Sequence, residues 1–203
     1  MIKEKFLDLI RKYSDSKAYN LECWNEIEQN YSSKFRYYHT LQHLENMLSE
    51  LKMVLSEIKN LDTLLFSIYY HDIIYEATQN DNEYQSALLF EKRISETSFK
   101  NIDKCVAQIE ATKEHRLSSD NDTNILLDLD LIILGQQPKK YKVYCENIRK
   151  EYQTYPDLMY REGRKKVLKS ILELDSIYKT DYFKREYENQ AKENIKLELK
   201  QLN

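Results

Sequence analysis

An all-α fold is predicted by three features: scarce turn formers, apolar residues at helical spacing, and no partner for the one strand-like stretch. Two glycines and two prolines in 203 residues leave few positions for tight hairpin turns. Leu41, Leu44, Leu48, Leu51 and Leu55 form a continuous stripe at i, i+3, i+4 spacing. The segment ILLDLDLIIL alternates strictly from Leu127 to Leu131 and can be read as a strand, but no second strand is apparent, so a helix is expected there too.

In chain order, the first helix is expected from Ile2 to Tyr13, with Phe6, Leu7 and Ile10 facing a core. The second runs from Leu21 to Tyr31, with Trp24 and Ile27 inward. A third is expected from about Thr40 to Ile58 and carries two histidines near its start. The fourth begins after Asn60 and reads LDTLLFSIYYHDIIYE, apolar on nearly every side as in the middle of a bundle, with His71 and Asp72 near its end. Helices then follow at about Asp81 to Thr97, Phe99 to His115, Thr123 to Leu134, Pro138 to Thr154, Leu158 to Leu172 and Asp181 to Gln201. Gly135, Pro138 and Pro156 punctuate the later junctions. The last helix aligns Phe183, Tyr187, Ala191, Ile195 and Leu199, a face for the core or for a partner subunit in a homodimer. With no internal repeat and no Ser-, Pro- or Gly-rich linker, the whole chain, 1–203, reads as one domain.

The 31 basic and 34 acidic side chains balance, so no global field draws in DNA or an anionic membrane. No stretch approaches the roughly 20 apolar residues of a membrane span. Cys23, Cys105 and Cys145 are odd in number and lack CxxC spacing, which suits a reducing, cytoplasmic compartment and argues against a thiolate zinc site.

The chemistry concentrates around four histidines, His39, His43, His71 and His115. His39 and His43 are four apart, so on a helix they share a face. They read either as capping histidines or as two imidazoles approaching one ion. Asp72 ends the run LLFSIYYH and needs a hydrogen bond, a cation or a metal to be tolerated there. The same holds for Asp128 and Asp130 inside ILLDLDLIIL. They are about 200° apart on a helix, so one of them reaches a given site, and Asp130 is preferred. Imidazole and carboxylate ligands without thiolate suit a divalent ion such as Mn, Fe, Co, Ni, Zn or Mg, with coordination positions left open. In DNEYQSA, Asp81, Asn82 and Glu83 read as an N-cap with an acidic first turn, or as part of a site wall. In SKFRYYH the tyrosine and phenylalanine beside Arg36 either stack a base or pack before the helix.

The ordered blocks YHTLQHLENM, YYHDIIYE, DNEYQSA, Thr112 to His115, DLDLIILG, IRKEY and GRKKVL resemble those of the predicted metal-dependent phosphohydrolases of the HD-domain superfamily. The resemblance runs from about Tyr38 to Val167. It implies an HD-domain-like helical bundle with a metal site at its centre and a C-terminal helical extension, 168–203, packed on it. His43, 28 residues before His71, is implied as the first ligand, with His39 as its rival, followed by His71, Asp72 and Asp130. Asp72, Asp128 and Glu83 are implied for catalysis, with Asp128 also able to hydrogen-bond a ligand histidine. His39, His115, Thr112, Arg36 and Arg164 are candidates for contacts behind the metal or to substrate. The expected function is hydrolysis of a small phosphorylated metabolite, a nucleotide first. An HD-fold di-iron oxygenase and a non-catalytic, metal-containing binding module are the alternatives.

Overall fold

Side-chain caps mark several helix starts. Ser16 accepts the Tyr19 N–H at 3.3 Å, Asn60 that of Thr63 at 3.1 Å and Asp120 that of Thr123 at 3.1 Å, each satisfying a donor the first helical turn leaves open. Pro138, which needs no partner for a missing N–H, opens another. The computed structural model describes residues 2–202. Its helices are α1 (Ile2–Ile10), α2 (Lys17–Tyr31), α3 (Leu41–Glu50), α4 (Leu61–Tyr70), α5 (Asn82–Ile94), α6 (Ile102–Ala111), α7 (Asn121–Asp130), α8 (Pro138–Glu151), α9 (Asp157–Leu172) and α10 (Asp181–Leu202). No strand occurs among the described residues, and ILLDLDLIIL is helical through Asp130 before tightening into a 3₁₀ turn, Leu131–Gly135. No helix is long and apolar enough to cross a membrane.

The chain divides into two compact units, Met1–His115 and Arg116–Asn203, at a point where composition announces no linker. In the first unit α4 packs against α1, α3, α5 and α6. Its Leu64, Phe66, Ile68, Tyr69 and Tyr70 are buried among rings of the other elements. Phe6 meets Tyr69 edge-on at 5.0 Å, and Phe90 meets Tyr70 at 5.3 Å. Each such side chain contributes about 1.5–3 kcal/mol of burial, and together they hold the end of α4 in a fixed place.

The third helix departs from expectation. It is α-helical only to Glu50 and continues as a 3₁₀ segment, Leu51–Glu57, in which Val54 leaves helical geometry at φ −123° and ψ 16°. The rewinding puts Val54, 0% exposed, in the core and turns Leu55, 47% exposed, out of it, so the leucine stripe ends at Leu51.

In the second unit α10 packs on α9 and on the 3₁₀ turn after α7. Gly135 is required at that approach, because a Cβ there would lie 2.5 Å from the Tyr187 Cβ and 2.8 Å from the Tyr178 hydroxyl. Asn194 of α10 donates to the Leu134 and Gln136 carbonyls at 2.8 and 2.7 Å across the same junction. Position 168, from which the C-terminal helical extension was expected, lies inside α9, with Leu168 fully buried. All three cysteines are free thiols. Cys23 and Cys105 are buried and Cys145 is half-buried, and burial pushes their pKa up to about 11, about 12 and about 12 respectively.

Candidate metal centre

His71 follows the last residue of α4, its N–H bonded to the Ser67 carbonyl. Its ring Nδ1 lies 2.9 Å from the Ile68 carbonyl, an acceptor only, so Nδ1 carries the proton and Nε2 presents a lone pair. That Nε2 is 3.2 Å from Nε2 of His43, the third residue of α3, and 3.2 Å from the Asp72 Oδ2. Both rings are buried, and ligand atoms of His43, His71 and Asp72 all fall within 4.8 Å of one another. Two nitrogens at about 2.0–2.1 Å from a shared ion are themselves about 3.0–3.4 Å apart, so the imidazole pair fits one metal. The donor set, nitrogen and carboxylate oxygen with no sulfur, suits the first-row divalent ions and Mg.

His39 does not share the α3 face expected of it. Thr40, extended at φ −114° and ψ 177°, separates it from the helix, which starts at Leu41. Its ring instead stacks on Tyr75, centroids 4.0 Å apart, and its Nε2 lies 4.0 Å from the Asp72 Oδ2. The geometry therefore groups His43 with His71 and leaves His39 beside the carboxylate. Tyr38 flanks both, its ring 4.9 Å from that of His39 and 5.1 Å from that of His43.

The loop after His71 is pinned by residues whose roles are non-local. Arg36 donates to the carbonyls of His39 at 3.1 Å, Asp72 at 2.7 Å and Ile73 at 2.8 Å. Its guanidinium lies over the Tyr31 ring at 4.8 Å and the Tyr75 ring at 5.6 Å, and the Asp72 N–H donates to the Tyr31 hydroxyl. The DNEYQSA block holds the same loop from the other side. Asn82 accepts the Glu76 N–H and donates to the Glu76 carbonyl, both at 3.0 Å, while the Ser86 hydroxyl bridges the Ile74 N–H and carbonyl. The block was expected as a helix cap or as part of a site wall. Asp81 stands at the cap position but makes no side-chain cap bond, and the working pair is Asn82 and Ser86, four apart on one helical face.

Thr112 and His115 both bond back to α6. Thr112 follows α6 with its hydroxyl bonded to the Ile109 carbonyl at 2.7 Å. His115 has a left-handed backbone, φ 48°, and its N–H bonds to the Ala111 carbonyl, so it serves as a helix stop. Glu83 is half-buried in the first turn of α5, and Asp130 is half-buried at the last residue of α7.

Two of the candidates make their contacts inside the second unit. Asp128 was a candidate proton acceptor or partner of a ligand histidine. Its Oδ1 accepts the Lys179 N–H at 2.6 Å, and its Oδ2 accepts the Thr180 N–H and hydroxyl, both at 2.8 Å, just ahead of α10. Burial pushes this carboxyl up to about 6 although the three hydrogen bonds pull the other way. Arg164 was a candidate for substrate phosphate. It is buried in an ion pair with Glu198, 2.8 and 3.1 Å, and donates to the Tyr144 hydroxyl at 3.2 Å. Burial pushes the Glu198 carboxyl up, but the Arg164 hydrogen bonds and charge outweigh it and hold the group below the usual carboxylate range. The Tyr141 hydroxyl also donates to Glu198, which completes a network internal to the unit.

Comparison with family models, with curated proteins and with solved structures gives no match, so the functional reading rests on the residues themselves.

Proposed function

We propose that this chain is a metal-dependent phosphohydrolase of HD-like fold, acting on a small phosphorylated metabolite, a nucleotide first. One divalent ion is held by His43, His71 and Asp72. Asp130 is the fourth ligand that the sequence blocks imply. The observation that carries the reading is the buried imidazole pair. With the His71 Nδ1 proton committed to Ile68, the two facing Nε2 atoms need a shared proton or a cation between them, and Asp72 beside them favours the cation. The order of the sequence blocks supports the hydrolase assignment.

When bound, the ion supplies an activated water and a Lewis acid for a phosphoryl oxygen. The chain's own residues then divide the work by exposure. His43 and His71, both buried, close the rear of the site to solvent. The side chains of Asp72 and His39, 13% and 17% exposed, lie on the accessible side. Asp72 orients the attacking water and accepts a proton from it. His39, when protonated, holds a phosphate oxygen through Nε2, and the backbone bonds to Arg36 keep both segments in register with the histidine pair.

The test is turnover of nucleotides and simple phosphomonoesters by purified protein supplied in turn with Mn, Co, Fe, Ni, Zn and Mg. Phosphate release is expected with at least one ion and is expected to vanish in His71→Ala. Absence of turnover with every ion, or a His71→Ala variant as active as the parent, overturns the assignment.

A further inference from the structure

We infer that Arg36 is a positioning residue for the metal centre: a guanidinium clamp that fixes the Asp72 segment against the His39 segment and thereby sets the affinity for the ion. The inference rests on the metal reading above and adds a determinant that touches neither ion nor substrate.

Three observations meet at this side chain. First, Arg36 is buried, and its donors bridge two chain segments more than thirty residues apart, one through the His39 carbonyl and the other through those of Asp72 and Ile73. A planar fork suits this task, because NH1 and NH2 reach adjacent carbonyls without bending the loop. Second, the guanidinium lies over both the Tyr31 and the Tyr75 ring, and each ring also touches the site. The Tyr31 hydroxyl accepts the Asp72 N–H at 3.2 Å, and Tyr75 stacks on His39. The clamp therefore grips Asp72 by both its N–H and its carbonyl while holding the ring beside it. Third, the positive charge stands just past the C-terminal end of α4, where peptide carbonyls lack helical partners and a cation is favoured.

Without the clamp, the carboxylate loses the constraint that holds Oδ2 3.2 Å from His71 and 4.0 Å from His39. Lysine cannot substitute, because a single ammonium neither spans three carbonyls in that plane nor stacks over two rings.

The experiment is a Co²⁺ titration of the full chain, read by visible absorption and by competition with a chelating dye. It compares the parent, Arg36→Ala and Arg36→Lys, with helical content and thermal melting of the metal-free proteins recorded alongside. Both variants are expected to bind Co²⁺ about 10–100-fold more weakly, with an altered absorption band, as when an outer-shell partner of a ligand is removed. Millimolar guanidinium ion is expected to restore part of the affinity in Arg36→Ala and none in Arg36→Lys, whose side chain fills the space. Folded variants that bind within twofold of the parent overturn the inference while leaving the metal centre intact. Variants that both fail to fold make Arg36 a determinant of the fold and also overturn it. A parent that binds no metal removes the proposed function itself, and is recognised by the control lane alone.

Discussion

Asp72 and Asp128 stand in equally apolar surroundings, YYHDII in the first unit and LLDLDL in the second, yet their carboxylates meet opposite environments. The Asp72 carboxylate lies beside two imidazoles, His71 at 3.2 Å and His39 at 4.0 Å, while its backbone is gripped by Tyr31 and Arg36. Asp128 directs both oxygens at the backbone and hydroxyl ahead of α10, and its own backbone continues a helix. In the first unit the protein fastens the main chain and sets the carboxylate beside two imidazoles. In the second it uses the carboxylate as the fastener. A charge in an apolar run thus says that a partner must exist, and only the partner says whether the charge is functional.

The sharpest break of this comparison exchanges the damage. His71→Ala is expected to lower metal affinity by several orders of magnitude, since the proposed centre loses one of its two imidazoles. Asp128→Ala is expected to leave affinity within about twofold yet cost about 4 kcal/mol of stability in urea, because two N–H groups and a hydroxyl lose their acceptor. Equal effects of the two on metal binding would dissolve the distinction.

Smaller, and specific to the second unit, is a dependence on pH. The Asp128 carboxyl titrates at about 6 in the folded chain, above its ordinary value of 3.8. The folded state therefore holds this proton more tightly than the unfolded one. The contribution is fully present below about pH 4 and is lost as pH rises through 6, amounting to up to about 3 kcal/mol. Glu188 and Glu198, held low, act with the opposite sign. The measurement is therefore the difference in unfolding free energy between parent and Asp128→Asn across pH 4–7, and a flat difference would contradict it.

Smaller again is Gly135→Ala. The added methyl meets Tyr187 at 2.5 Å, so overpacking at the approach of α10 is expected to cost about 2 kcal/mol, seen as a lowered melting temperature with Co²⁺ affinity unchanged.

Much of the fold was legible because helical spacing is a local property. α4 announced itself by being apolar all round, and α10 by its stripe through Phe183, Ala191 and Ile195. The break in α3 was not legible, since Leu51 and Leu55 continue the spacing and only the core decides that Val54 goes in instead. At the site, the His71-Asp72 pair was legible as charge in an apolar run, and the same logic at Asp128 could not name its donors, which arrive 51 and 52 residues later. The placement of His39 off the helix, the stacking of Tyr75 on it and the reach of Arg36 to Ile73 are likewise set by chain crossings that no local window contains. Asn82 and Ser86 carried a usable sign, two small hydrogen-bonding side chains one turn apart facing the loop they secure.

The two buried thiols give the first unit an internal clock. Protonated far above neutrality and screened from solvent, Cys23 and Cys105 react with an alkylating reagent only as fast as the surrounding structure opens. One times the opening of α2 and the other that of α6. Mass-resolved labelling at each, with and without added metal, would therefore show separately which of these helices an ion slows.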